Sequence, residues 1–331
     1  MLFEASFAAL VVALLLDRFV IDPEPLWRRL PHPVVGFGAI ISWWERSLRP
    51  RHRDVMGSGA GLLAALVLVA GVAGLAPTLF AAPIGWLLET LVVAVMLAQR
   101  SLDQHVKAVA LALDRDLAGG RRTVAKIVGR DPETLDEAGV ARAAIESLAE
   151  NFSDGVVAPV FWYVVAGLPG LMIYKAVNTA DSMIGHRSPR YLLFGRPAAL
   201  TDDTMNWLPA RLTALLIAAA AGSRRVWEAA RRDARLHRSP NAGWPEAAMA
   251  AASDLSLGGP RDYGTERVEE PFMNPSGRDD AGASDIRSAL GLYRSALDVL
   301  FLVCVLLVLP GLAVVLIGGY VLWRLLDPNR V

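Results

Sequence analysis

Cysteine is all but missing. Cys304 is the single one in 331 residues, so a disulfide within the chain is impossible and cysteine usage leaves the redox compartment open. Charge is scarce too: Asp, Glu, Lys and Arg make up 20% of the residues, and the formal net charge is +0. Soluble domains usually carry about a quarter charged residues, and a balanced chain has no electrostatic footprint for nucleic acid. No nucleic-acid partner is expected. The sequence holds no Gly-x-x-x-x-Gly-Lys phosphate loop, no Gly-x-Gly-x-x-Gly after a strand, and no His/Cys cluster at zinc spacing. A conventional soluble nucleotide-binding domain is therefore not visible. The first residues carry Glu4 and neither a basic region nor a small-residue cleavage site, so no cleaved signal peptide is expected.

Apolar residues are what the chain has in abundance. They make up 54% of it, with a mean hydropathy of +0.38. Length alone admits roughly two soluble domains, but several long uncharged runs point to a single integral membrane domain over 1–331. The predicted fold is all-α and polytopic, with about four to six membrane segments, some of them open to a re-entrant path, plus amphipathic cytoplasmic helices.

Phe3 to Ile21 is a borderline first span, interrupted by Glu4, Asp17 and Arg18 and stopped by Asp22-Pro23-Glu24-Pro25. The arginine-rich loop after it holds Pro31-His32-Pro33-Val34 and the pair Trp43-Trp44, which suits a membrane interface. Val55 to Phe80 and Ile84 to Gln99 pair as a hairpin of spans, with Gly57-x-Gly-x-Gly61 permitting close helix packing. Residues 100–153 form a polar segment of helical pattern, broken at Gly119-Gly120 and Asp131-Pro132. Within it, Thr134 and Glu137 stand in capping-box spacing at a helix start. Residues 155–174 are uncharged but contain Gly167-Leu168-Pro169-Gly170, and 207–222 is a shorter apolar run with Arg211 inside it. Residues 223–296 read as a hydrophilic, arginine-rich loop region, and Val299 to Trp323 as the cleanest span.

The positive-inside rule places 22–54, 100–153 and 223–296 in the cytoplasm. If both 155–174 and 207–222 crossed the bilayer, 175–206 would be parted from 146–154 by the membrane thickness. A re-entrant 155–174 with a shallow 207–222 keeps the two together, and irregular backbone is tolerated at that depth where it lines a cavity. Chemistry favours the second path.

The chemistry lies at the two ends of that apolar segment. Glu146, Glu150 and Asp154 are spaced i, i+4, i+8 and share a helix face, with Asn151 beside them. Lys175, Asn178 and Asp181 follow at i, i+3, i+6. Several carboxylates with an amide and a lysine suit Mg²⁺ held by one or two carboxylates plus substrate phosphates. Ordinary solvated ion pairs are the plainer reading, but ionisable groups beside membrane segments are costly and usually functional. Asp202, Asp203 and Asn206 fit a helix cap with its first turn as well as they fit a site. His32 reads as a proton-transfer group or a turn residue, and His186 stands evenly between a site and a structural role. The loops around Ser239-Pro240-Asn241 and Gly258-Gly259-Pro260 read first as connectors and second as binding loops.

Taken in order, these motifs resemble one family. Glu146-x3-Glu150-Asn151-x2-Asp154-Gly155-x3-Pro159 followed by Lys175-x2-Asn178-x2-Asp181-Ser182-Met183-x-Gly185-His186 is similar to the CobD/CbiB family of adenosylcobinamide-phosphate synthases. Asp22-Pro23, His32-Pro33-Val34, Arg100-Ser101-Leu102, Asp202-Asp203-x2-Asn206, Ser239-Pro240-Asn241-Ala242-x2-Pro245-Glu246 and Gly258-Gly259-Pro260-x2-Tyr263-Gly264 extend the likeness over nearly the whole chain.

The resemblance implies a multi-pass enzyme of the inner cell membrane, acting late in cobalamin (vitamin B12) biosynthesis with its active site on the cytoplasmic side. It would be a ligase forming an amide between the free propionate of adenosylcobyric acid and (R)-1-amino-2-propanol or its O-phosphate, with ATP and Mg²⁺. On that basis Glu146, Glu150, Asp154 and Asp181 would hold the metal, with Lys175, Asp181 and Glu150 in the catalytic roles. Asn151, Asn178, His32, Asp202, Asp203 and Asn206 would bind cofactor and substrate. Membrane lipid is a further expected partner, and a homo-oligomer or a complex with other late-pathway enzymes is compatible with the resemblance. Two other classes stay open: a secondary transporter with a broken helix and midplane carboxylates, and a non-catalytic sensor like the AmpE-type membrane proteins. A CDP-alcohol phosphotransferase is disfavoured, because Asp154-Gly155-Val156-Val157-Ala158-Pro159 lacks that family's run.

Overall fold

The computed structural model describes residues 2–20, 32–49, 54–129, 132–186, 188–263, 266–268 and 270–326. The Asp22-Pro23 motif, Asp131 and Gly264 lie outside the described residues. The helices in chain order are α1 (Leu2–Phe19), α2 (Pro33–Ser47), α3 (Val55–Gly74), α4 (Ala82–Met96), α5 (Gln99–Leu113) and α6 (Leu117–Val124). They continue with α7 (Glu137–Phe152), α8 (Ala158–Ile184), α9 (Arg196–Ala220), α10 (Arg224–Asp233), α11 (Gly243–Ser253) and α12 (Ala283–Leu326). Among the described residues the strands make two short antiparallel ribbons, Leu257–Gly258 with Phe272–Met273 and Arg261–Tyr263 with Glu266–Val268. The all-α expectation holds.

Among the described residues, 4 stretches are long and apolar enough to cross a membrane: Val55–Leu79, Ala82–Leu113, Glu137–Ile184 and Ala283–Leu307. The borderline run in α1 is not one of them, and its charges explain why. Asp17 is only 3% exposed and accepts hydrogen bonds from the backbone N and the Nε2 of Gln99, each at 2.9 Å. Arg18 pairs with Asp298 at 2.6 Å. These contacts fasten α1 to the start of α5 and to α12, while Leu10 and Ala13 are buried in the core.

Several boundaries differ from the sequence reading. The cap of α7 is Asp136, whose carboxylate accepts from the Gly139 N–H at 2.6 Å. Glu137 is the first helical residue, so Thr134 and Glu137 do not form the capping pair. Gly57 serves the cap at Asp54 instead of a helix contact. The close approach of α3 to its neighbours falls at Gly59, where a Cβ would overlap the Phe194 carbonyl, and at Gly74, where it would lie 2.5 Å from Pro169 Cα. The last span begins well before Val299, because α12 takes in 283–296. Its first half is held to α5 by Arg294–Asp103 and Arg287–Asp114, at 2.7 and 2.6 Å.

The path of 155–174 decides where the site can form. A π turn, Ser153–Val157, joins α7 to α8, and α8 is interrupted by non-helical backbone at Ala166 (φ −138, ψ 21) and Gly167 (φ 62, ψ −159). In a straight helix Asp154 and Tyr174 would stand about 30 Å apart at 1.5 Å per residue. Here the Tyr174 hydroxyl lies 3.1 Å from the Asp154 carbonyl oxygen. The chain therefore turns back on itself at Gly167, and the two ends of 155–174 lie together as the re-entrant reading requires.

The turn at Ile184 and Gly195 then feeds α9. Asp202, Asp203 and Asn206 lie inside that helix, past its Pro197-containing first turn. They are not its cap. One face of α9 buries Asp202, Asn206, Pro209 and Thr213, and the other exposes Leu200, Trp207, Leu208 and Leu215.

Candidate active site

Five stretches meet at one cavity of about 590 Å³, within the usual size of a small-ligand site. Glu146 and Glu150 reach it from α7, Asp154 from the π turn, and Asp181 and His186 from the returning end of α8. Asp202, Asp203 and Asn206 come from α9, and His237, Arg238, Ser239, Asn241 and Glu246 from the loop into α11 and that helix's first turn. A π turn inside a helix is a frequent mark of function, and here it carries one of the carboxylates.

Asp202 is the most constrained of these groups. It is 8% exposed, and each carboxylate oxygen is taken by an amide. Asn178 Nδ2 donates to Oδ1 at 3.2 Å, and Asn206 Nδ2 donates to Oδ2 at 2.9 Å. The Oδ1 of Asn206 in turn accepts from the Tyr174 hydroxyl at 3.0 Å. Burial, and then the negative charge of Asp181, push the Asp202 carboxyl up to about 7, against the pull of the two amides. Near neutral pH it therefore stands between its acid and its anion.

The expected site residues divide. Glu150, Asp154, Asp181, Asp202, Asp203 and Asn206 line the cavity, as does Glu146. The Oε1 of Glu146, however, accepts from the Gly258 N–H at 2.8 Å and ties the first ribbon to α7. Asn178 holds Asp202 and is not among the lining residues. Asn151 is exposed and donates back to the Ser147 carbonyl at 2.9 Å. Lys175 also stays out of the lining; the charges acting on it are those of Asp154 and Asp17. His32 is elsewhere: its Nδ1 accepts from the Val34 N–H at 3.2 Å as the cap of α2, and its Nε2 lies 3.0 Å from the Val95 carbonyl. It stands at the start of α2 and is not among the residues that line the cavity.

Among the described residues, no group of three or more His, Cys, Asp or Glu side chains converges as a ready-made metal site. The quartet Glu146, Glu150, Asp154 and Asp181 lines the cavity without standing as a preformed ligand sphere. The donors still fit a divalent cation held by one or two carboxylates, with phosphate oxygens and water completing its shell. In the wall of the cavity the negative charges of Asp181 and Asp203 act on Asp202.

Three contributors stand outside the expected site set: the Asn241–Arg211 pair, His237 and Tyr174. Asn241 is buried; it donates to the Asp203 carbonyl at 2.8 Å and faces Arg211 Nη1 at 3.5 Å. Arg211 lies against the rings of Trp207 and Trp244, at 4.2 and 4.7 Å from their centroids. His237 accepts from the Ser239 N–H through Nδ1 at 3.0 Å, which leaves its other nitrogen 3.7 Å from Glu246. The signal was there: a Gly/Pro-marked loop carrying Ser, Asn, His and Glu is a costly way to build a plain connector. Tyr174 is the third. In an uncharged run it reads as core, yet Tyr174, Asn178 and Asp181 recur at i, i+4, i+7, a truer single face than the one drawn through Lys175.

Fold and cavity together define a polytopic helical membrane protein with a carboxylate-rich site beside a helix that breaks and folds back on itself. The chain belongs to the CobD/CbiB family: the family model described as CobD/Cbib protein matches residues 10–293, which takes in every residue of the cavity. It is 53% identical over 311 residues to the cobalamin biosynthesis protein CobD of Brucella anthropi, covering 90% of this chain and 95% of that one. It is 55% identical over 305 residues to the protein of that name from Rhizobium meliloti, covering 88% and 93%. To its counterpart from Rhodobacter capsulatus it is 47% identical over 298 residues, covering 88% and 94%. No solved structure matches the chain.

Proposed function

We propose that this chain carries out the amide-forming step of cobalamin biosynthesis in which the free propionate of adenosylcobyric acid is joined to (R)-1-amino-2-propanol or its O-phosphate at the expense of ATP. The observation that carries the reading is the single cavity uniting the carboxylates of α7, the π turn, α8 and α9 in a member of the CobD/CbiB family. A carboxylate is a poor acyl donor, so the propionate oxygen first attacks the γ-phosphorus of ATP, and ADP leaves. The amine nitrogen then attacks the acyl carbon, phosphate departs, and the proton lost by the ammonium goes to a cavity carboxylate.

Mg²⁺, when bound, supplies neutralisation of the phosphate charge. Asp181 and Asp202 would hold it, with Glu150 and Asp154 alongside, while Glu146 accepts from the Gly258 N–H. Positioning and electrostatics do most of the work in phosphoryl transfer. Lys175 serves in this scheme as a countercharge behind Asp154, and Asn178 and Asn206 orient Asp202. The arginines of 100–129 and of α10 favour a cytoplasmic cavity.

Purified protein in detergent, given adenosylcobyric acid, ATP, Mg²⁺ and either amine, is expected to yield a corrinoid amide by mass and one ADP per product. Asp181→Asn is expected to abolish turnover while corrinoid binding persists. Wild-type turnover in that variant would remove Asp181 from the site. Absence of product with either amine would refute the ligase reading, and substrate flux without ATP consumption would favour a transporter, which shares the broken helix.

A further inference from the structure

The Tyr174 hydroxyl is buried at the centre of the site and lines no part of the cavity. Its side chain is 0% exposed. Its single proton faces two acceptors, the Asp154 carbonyl at 3.1 Å and Asn206 Oδ1 at 3.0 Å. Neither acceptor has a proton to give in return, so the hydroxyl is shared between the π turn and α9. The orientation of the Asn206 amide follows from its other end. Nδ2 donates to Asp202 Oδ2 at 2.9 Å, and a flipped amide would press its carbonyl oxygen against that carboxylate.

We propose that Tyr174 is a positioning residue for the site: by holding Asn206 Oδ1, its hydroxyl locks the amide that, together with Asn178, fixes the plane of the Asp202 carboxylate toward the cavity. Asp202 can turn about its terminal torsion, which is broad and roughly two-fold for a carboxylate. Two amides on two different oxygens suppress that rotation, and each amide needs its own anchor. Asn178 is carried on the same returning segment as Tyr174, four residues on, so one rigid turn of α8 presents both. A ligand sphere in which this chain contributes only one or two carboxylates depends on where those few oxygens point. Outer groups that orient ligands typically cost 10–100-fold in metal affinity or activity when removed.

This inference rests on the reading of Asp202 as a cation-binding group, and Mn²⁺ alone is the probe that tests both. Binding of Mn²⁺ to the full-length protein in detergent would be followed by electron paramagnetic resonance for wild type, Tyr174→Phe, Asn206→Ala and the double variant. Tyr174→Phe removes one oxygen and keeps the ring, so thermal unfolding serves as the control on packing. The expected result is a loss of Mn²⁺ affinity of roughly 10–100-fold in each single variant, with the double variant no weaker than the weaker single one, since both act through one chain of contacts. A hydroxyl that merely ties the hairpin together would instead lower the unfolding temperature and leave Mn²⁺ binding intact. Wild type that binds Mn²⁺ with Tyr174→Phe unchanged, or singles whose effects multiply, would overturn the positioning role alone. Wild type that binds no Mn²⁺ would overturn the cation reading and this inference with it.

Discussion

Asp202→Asn is expected to make the metal-free protein more stable at pH 8 while lowering turnover at least about a hundredfold. The carboxyl is held at about 7 in the folded chain, against an ordinary 3.8. Below 3.8 it is protonated folded or unfolded and contributes nothing. Between the two values the unfolded chain gives up the proton and the folded chain keeps it, so stability falls as pH rises. Above 7 the buried group must ionise in place, and the full penalty, about 4 kcal/mol at roughly 1.4 kcal/mol per pH unit, applies. Asparagine removes that penalty but sets its own amide against one of the two donors, Asn178 or Asn206, at about 1–2 kcal/mol. The net gain at pH 8 is roughly 2 kcal/mol and should vanish near pH 5. Saturating Mg²⁺ should invert the ranking, because a ligand that binds only the folded state stabilises wild type and not the variant. Unfolding curves at pH 5 and pH 8, with and without Mg²⁺, test this. A variant less stable than wild type at pH 8 without metal would mean that Asp202 is an ordinary structural carboxylate.

The same residue shows what could be read from the sequence and what could not. Membrane helices announce themselves through long uncharged runs, so α3, α4 and the apolar half of α12 were legible. Carboxylates spaced at i, i+4, i+8 were legible too, since Glu150 and Asp154 needed only helical periodicity to share a face. Asp202 was ambiguous because acidic residues crowd helix starts for an unrelated reason, the exposed N–H groups of the first turn. Only the position of Pro197 and Gly195 relative to it settles that it lies deep in α9. Lys175 stood out as a lone lysine in an apolar setting, whereas the tyrosine beside it, which makes the contacts to Asp154 and Asn206, left no such mark in the sequence. Asn241 and Glu246 lay in a loop that Gly and Pro marked out, but its place beside the acidic residues depends on a contact between α9 and the loop into α11, a long-range pairing that a local pattern does not position. Hydropathy could not show the turn at Gly167 either: twenty uncharged residues are as long whether they cross the bilayer or enter it and return.

Gly167→Ala is expected to weaken the fold out of proportion to the size of a methyl group, and Gly167→Val to abolish a homogeneous folded protein. Space is not the obstacle. A Cβ at Gly167 would meet nothing nearer than Pro169 Cδ, at 3.7 Å. The obstacle is the backbone, since φ 62 with ψ −159 falls in a region open essentially to glycine alone. Such strain costs about 1–3 kcal/mol for a residue with a side chain, and more when it is β-branched. The conformation cannot simply relax to helix. The 48 residues of Glu137–Ile184 would then make a rod of about 72 Å, more than twice the hydrocarbon thickness of a bilayer. Straightening would carry Tyr174, Asn178 and Asp181 away from Asp154 and dismantle the cavity. Loss of Mn²⁺ binding should therefore accompany loss of thermal stability in Gly167→Ala, with Pro169→Ala much milder, because proline sits at the start of the returning segment where its missing N–H has no partner to lose. Thermal midpoints and Mn²⁺ affinity measured side by side decide the matter. A Gly167→Ala protein with wild-type values of both would show that the break is not held by this residue.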